Sequence, residues 1–223
     1  MPLPKAVIFD LDGTLIHSAP DLRFALNRLL AHEGRRELSL EEVIGMIGDG
    51  VPKLVERGFA ATGIVPETDA LAERVDVFGR DYEVNATAHT KLFPGALGVL
   101  EALREADVLM GMCTNKPVQA TREILKEFEV ETFFTAVVGG DTLDGIRKPD
   151  PRHLQAVLDD LNVSSRDAVM VGDSANDIAV AKNANVKAIA VTFGYCHGPV
   201  EELDADAVID HFDHLIPALD TLA

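Results

Sequence analysis

The sequence predicts an α/β protein: a doubly wound parallel sheet flanked by helices, with an all-helical segment inserted after the first strand. Three observations carry this. A short apolar run at residues 5–9 ends abruptly in acidic, Gly-containing sequence; residues 16–92 hold helical patterns; and from residue 93 onward strand-sized apolar runs alternate with amphipathic helices. Strands separated by helices of that length imply right-handed crossovers and parallel pairing.

The first run, Lys-Ala-Val-Ile-Phe at 5–9, reads as a buried strand delivering Asp10 and Asp12 into the loop Asp10-Leu11-Asp12-Gly13-Thr14. Ser18 then precedes an apolar stripe at Leu22, Ala25, Leu26, Leu29 and Leu30, with Asp21 three residues on in the manner of a capping box. Ser39 with Glu42 repeats that device, Pro52 suits an early helical position, and 67–86 reads as a longer helix around Leu71, Val75 and Phe78. Beyond Phe93-Pro94-Gly95, helices are predicted at 96–106, 118–128, 151–161 and 175–183. Strands are predicted at 108–113, 134–138, 168–171 and 186–191. The implied division is a core of 1–15 with 93–223 and an inserted segment of 16–92.

Composition sets the bounds on function. With 47% apolar and 26% charged residues the 223-residue chain can bury a full core. Twenty Lys and Arg against 37 Asp and Glu leave a formal charge of −17, which disfavours nucleic acid or an anionic membrane surface as partner. No apolar run approaches the ~20 residues of a spanning helix, and the start of the chain lacks a secretory core. Cys113 and Cys196 alone make no disulfide framework, so a reduced, cytoplasmic protein is expected. The stretch after Lys187 holds seven acids and no Lys or Arg, so much of the imbalance lies away from the predicted strand ends.

Ligands of open parallel sheets bind beyond the carboxyl ends of the strands. That rule selects Asp10 and Asp12, then Thr114 and Asn115, then Gly139, Gly140 and Asp141, and finally Asp173. Clustered carboxylates cannot all stay ionised without a cation, and an all-oxygen set suits Mg²⁺ better than a softer metal. Thr114-Asn115-Lys116-Pro117 opens a helix and offers a hydroxyl with helix N-terminal amides, an arrangement suited to an anion. Lys148 lies beside prolines in Lys148-Pro149-Asp150-Pro151, which fix the backbone; a solvated lysine and an ammonium aimed inward are both open on the sequence. Asp177, one helical turn after Asp173, is placed to support the metal ligands or to accept from Lys148.

These four segments resemble the motifs of the haloacid dehalogenase superfamily of phosphohydrolases. Asp10-Leu11-Asp12-Gly13-Thr14 is similar to its first motif, Thr114 to its second, Lys148 to its third and Gly172-Asp173-Ser174-Ala175-Asn176-Asp177 to its fourth. Within that superfamily the chain resembles the bacterial phosphoglycolate phosphatases, through the runs DGTLIHSAPDL, IGDGV at 47–51, KPDP and TFGYCHG at 192–198; His17 stands where many relatives carry Asp.

The resemblance implies a Rossmann-like core and a small helical cap at 16–92. It implies a cytoplasmic, Mg²⁺-dependent phosphatase of a small phosphate monoester, 2-phosphoglycolate first, acting as a monomer or homodimer. By the same resemblance Asp10 is the nucleophile and Asp12 the general acid and base. Asp10, Asp173 and Asp12, the last through its backbone carbonyl, hold the metal, and Thr114 and Lys148 hold the phosphoryl oxygens. Asn115 and the cap residue Gly48 are expected on the substrate, with Lys53 or Arg57 near a substrate carboxylate. The electrostatics require such helpers, because a carboxylate approaching a phosphate meets about 4 kcal/mol of repulsion per charge pair at ~4 Å and an effective dielectric of ~20. A sugar-phosphate mutase, a phosphatase of another small ester and a non-catalytic phosphate-binding module remain open. A dehalogenase is disfavoured by the presence of Asp12.

Overall fold

The computed structural model describes residues 3–222. In chain order its elements are β1 (Ala6–Phe9), β2 (Ile16–His17), α1 (Ala19–His32), α2 (Leu40–Ile44), α3 (Val51–Thr62), α4 (Thr68–Asn85) and β3 (Lys91–Leu92). There follow α5 (Ala96–Glu105), β4 (Leu109–Cys113), α6 (Val118–Glu127), β5 (Ala136–Val138), α7 (Pro151–Leu161) and β6 (Ala168–Gly172). The chain continues through α8 (Ala175–Asn183), β7 (Lys187–Val191), β8 (Ala207–Ile209) and α9 (Leu215–Leu222). Contacts divide it into two compact units, Met1–His17 with Leu92–Ala223, and Ser18–Lys91.

The first unit is built on a six-stranded sheet of order β5-β4-β1-β6-β7-β8, parallel at every pairing. From β1 the chain winds outward through β4 to β5, then crosses back to β6 and winds the other way. The reversal falls between β1 and β6, where such sheets bind ligands. Every residue of β1, AVIF, is buried, as expected of a central strand covered on both faces. On one face Ala6, Ile8, Ala168 and Met170 pack with Leu154, Val157 and Leu158 of α7 and with Ile178 and Ala181 of α8. The other face carries Val7 and Phe9, and the Phe9 ring meets Phe134 edge-on with centroids 6.3 Å apart.

The second unit is helical. Asn27 of α1 is buried and clamps Leu38, donating to its carbonyl at 2.9 Å and accepting from its amide at 2.8 Å. Phe78 and Tyr82 of α4 stack at 5.8 Å, and Arg28 pairs with Asp81. Ser39 and Glu42 form the expected capping box on α2. Ser18 does not cap α1 through its side chain. Asp21 instead accepts from the His89 and Thr90 amides, the His89 ring and the Thr90 hydroxyl at 2.7–3.1 Å, tying the end of the inserted segment to its start.

The inserted segment is not free of strands. Ile16–His17 and Lys91–Leu92 pair as a two-residue ribbon where the chain leaves and re-enters the first unit. The acid-rich C-terminal stretch, in which no element was expected, carries the edge strand β8 and the helix α9. Residues 134 and 135 fall outside β5, which starts at Ala136 after a 3₁₀ turn at Glu131–Phe133. Among the described residues no helix is long and apolar enough to cross a membrane.

Candidate active site at the strand ends

Sheet register determines which side chains share a level. Phe9 pairs with Met112 on β4 and with Val171 on β6, so Asp10 stands level with Cys113 and Gly172, and Thr114 and Asp173 follow one step beyond. Asp10 continues the ladder by donating its amide to the Val171 carbonyl at 2.9 Å. The loop after it is tight: Leu15 and Ile16 both donate to the Leu11 carbonyl. Gly13 has φ +89°, and a Cβ there would lie 2.2 Å from Asp173 Oδ2, so only glycine lets loop and carboxylate coexist.

Asp10, Asp173 and Asp177 form a buried cluster whose nearest carboxylate oxygens all lie within 4.8 Å of one another. Lys148 enters it from the prolyl turn, its ammonium donating to Asp10 Oδ1 at 2.7 Å and to Asp177 Oδ1 at 2.6 Å. Burial is the largest influence on Asp10 and pushes its carboxyl up to about 7 despite the adjacent ammonium. Asp173 is raised well above the carboxylate range by burial first, then by Asp177 and Asp10. Burial opposes the charge on Lys148, but Asp10 and Asp177 outweigh it and raise the pKa, so the lysine stays cationic.

Three buried carboxylates around one ammonium form a site suited to a divalent cation: all donors are oxygen, and the charge left when all three ionise matches two positive charges. The acids differ in how fully they are used. Asp177 Oδ2 accepts from the Ser174 amide at 2.9 Å and hydroxyl at 2.6 Å while Oδ1 accepts from Lys148. It therefore buttresses the lysine. Asp173 is held by the Tyr195 amide at 2.5 Å and the Thr14 hydroxyl at 3.3 Å. Tyr195, from the TFGYCHG run, in turn bonds its hydroxyl to His17 Nδ1 at 2.9 Å.

Other expected site residues fall differently. The Asp12 carboxylate lies outside the cluster and meets the ammonium of Lys116 at 3.0 and 3.2 Å, so a role for Asp12 at a metal rests on its carbonyl. Thr114 is buried beside the cluster's strand ends, its hydroxyl accepting from the Lys116 amide at 3.2 Å. The Asn115 amide is engaged on the backbone of Lys148, accepting from its N–H at 2.9 Å and donating to its carbonyl at 3.2 Å. Asp141 is spent on helix α6, accepting from the Val118 amide at 2.7 Å, so that helix start is capped by an acid. Gly48 belongs to the second unit, at φ +121°. There Arg57 donates to the Met46 carbonyl and pairs with Asp49, and Lys53 pairs with Glu56.

Three contacts were not foreseen: Lys116 on Asp12, Asn115 on Lys148, and Tyr195 with Thr14 on Asp173. The first follows from a signal that was present, because residues 12 and 116 lie just beyond β1 and β4, adjacent in the sheet. Cys113, whose thiol burial pushes up to about 12, lies 3.4 Å from His153 Nδ1; the other ring nitrogen contacts the Gly139 carbonyl at 3.0 Å.

Residues 7–191 match the family model of haloacid dehalogenase-like hydrolases. The chain is 44% identical over 209 residues to the phosphoglycolate phosphatase of Cereibacter sphaeroides, covering 94% of each protein. Its identity to the phosphoglycolate phosphatase of Rhodospirillum rubrum is 44% over 217 residues, 96% of this chain and 90% of the other. Its fold superposes with a TM-score of 0.92 on a crystal structure of a predicted phosphoglycolate phosphatase from Haemophilus somnus, at 28% identity, covering 98% of this chain and 99% of that one.

Proposed function

The chain belongs to the haloacid dehalogenase-like hydrolase family, and from that premise we propose that it is a Mg²⁺-dependent phosphatase of small phosphate monoesters, with 2-phosphoglycolate its first substrate, working through an aspartyl-phosphate at Asp10. The observation that carries the reading is the buried set Asp10, Asp173 and Asp177 around the Lys148 ammonium at the strand ends. The relatives at 44% identity named phosphoglycolate phosphatase support the substrate.

In this proposal Asp10 and Asp173, with the Asp12 carbonyl, hold the cation, which supplies charge stabilisation to the transferring phosphoryl group. Lys148 grips Asp10 through Oδ1, which leaves the second oxygen as the nucleophile. That oxygen bonds to phosphorus as the ester oxygen departs, and the departing alkoxide takes the proton of Asp12. Water then attacks the phosphorus, gives its proton to Asp12, and the acyl-phosphate bond breaks to restore the Asp10 carboxylate and release phosphate.

An ammonium has three N–H donors, and the two acids use two, so the third is available to a phosphoryl oxygen beside the Thr114 hydroxyl. Asn115 acts one step back by fixing the peptide that carries the lysine. Substrate selection is assigned to the inserted helical segment, with Gly48 as a substrate contact. The assay is phosphate release from 2-phosphoglycolate and a panel of hexose, pentose and triose phosphates, with and without Mg²⁺. Metal-dependent turnover strongest on 2-phosphoglycolate is expected; a preference for a hexose phosphate overturns the substrate, and isomerisation of a sugar phosphate without phosphate release favours a mutase.

A further inference from the structure

The first loop carries two carboxylates, and each is met by an ammonium from a different strand end: Asp10 by Lys148 and Asp12 by Lys116. We propose, resting on the phosphatase reading above, that Lys116 is a positioning residue for proton transfer, fixing the Asp12 carboxyl for the leaving oxygen.

The lysine is built to aim. Its side chain is only 3% exposed, and its ammonium contacts both Asp12 oxygens, at 3.0 and 3.2 Å, which sets the plane of the carboxylate as well as its place. Its peptide is held on both sides: the carbonyl accepts from the Gly140 amide at 2.8 Å, the amide donates to Thr114 Oγ1, and Pro117 follows. The peptide that carries the lysine is therefore tied to Thr114, the phosphoryl ligand of the reading above. Stability does not account for the pair. A buried ion pair is commonly matched or bettered by apolar residues of the same volume, so a Lys with its charge enclosed beside a loop acid needs another reason. Asp12 itself keeps 14% of its side chain exposed, enough to exchange a proton with a reactant.

The test uses the leaving group. An alkyl ester such as 2-phosphoglycolate needs the acid's proton, whereas p-nitrophenyl phosphate expels a stable phenolate without it. Because kcat/KM covers only steps up to the first phosphoryl transfer, it isolates this proton from the later attack by water. Lys116→Met is expected to lower kcat/KM on 2-phosphoglycolate roughly 30-fold, part of the ~10²–10⁴-fold that general acid catalysis contributes, and on the aryl ester less than about three-fold. Lys116→Arg should recover most of the alkyl loss. In an Asp12→Asn background, Lys116→Met should change the alkyl-to-aryl ratio less than about two-fold, since the partner is gone. If the Met variant does not fold, Lys116→Gln is judged by the same ratios. An equal fall on both esters, or a further ratio change in the Asp12→Asn background, overturns the proposal. Metal-independent aryl turnover, or its survival in Asp10→Asn, overturns the phosphatase reading instead.

Discussion

Removing the ammonium of Lys148 leaves Asp10, Asp173 and Asp177 buried together without the cation that touches two of them. The side chain is 2% exposed and its partners 10% and 0%, so water cannot replace it. Breaking a buried pair from one side costs about 3–5 kcal/mol, and at ~2–4 °C per kcal/mol for a chain of this size Lys148→Met should melt roughly 6–20 °C lower. The cost depends on pH with a definite sign. Asp10 titrates at about 7 in the folded protein, above its unfolded value of ~3.9, so its contribution is fully present below the latter and is lost as pH rises through the former. Without Lys148, which lowers that value, the decline must extend to still higher pH. Urea unfolding of metal-free protein across pH 5–9 measures this. Adding Asp177→Asn to Lys148→Met should return more than about 1 kcal/mol by removing one of the crowded charges. A variant as stable as the parent, or one that gains stability as pH rises, refutes the electrostatic account of the cluster.

Further outcomes follow from the same geometry. Asn115→Leu removes both bonds to the Lys148 peptide and should lower kcat about ten-fold or more while the protein stays folded by circular dichroism. Gly13→Ala places a methyl 2.2 Å from Asp173 Oδ2 at φ +89° and should abolish activity and metal-induced thermal stabilisation together. Asp21→Ala should destabilise by about 2–3 kcal/mol, as a carboxylate accepting from His89 and Thr90 is lost. Burial works against the Asp21 charge, but those bonds outweigh it and lower the pKa. The contribution is thus complete above ~3.9 and disappears as pH falls through the folded value, so parent and variant converge in acid denaturation.

The sheet was legible because its strands are apolar runs bounded by glycine and acid, and because helices of ten or so residues between them leave parallel pairing as the arrangement that fits. From that, the strand-end rule led to Asp10, Asp12, Thr114 and Asp173 without any contact being known, while Lys148 was singled out by the prolines that follow it. Asp177, one turn after Asp173, was legible as a support either for the metal ligands or for Lys148, and it accepts from Lys148. What escaped has common physical causes. The β2–β3 ribbon is two residues a side, too short for a period of two to register. Strand β8 has three residues, one of them exposed, within an acidic stretch. Asp21 looked like a local cap, yet its partners lie 68 and 69 residues away. Local patterns name residue types well, but which ammonium meets which carboxylate is decided by sheet order, as Lys116 and Asp12 illustrate. The formal charge of −17 argued against polyanions; at the site, acidity serves the opposite end, since clustered carboxylate oxygens suit a divalent cation.

The central claim is that Asp10 is the group that takes the phosphoryl from a small ester. Phosphate release from 2-phosphoglycolate by the Mg²⁺-supplied protein and by Asp10→Asn, with acid-quenched protein examined by mass spectrometry for a phosphoryl group on the Asp10 peptide, tests it most directly. The account predicts metal-dependent release and a labelled Asp10 peptide in the parent, and loss of both in Asp10→Asn. Retained turnover in Asp10→Asn would contradict it.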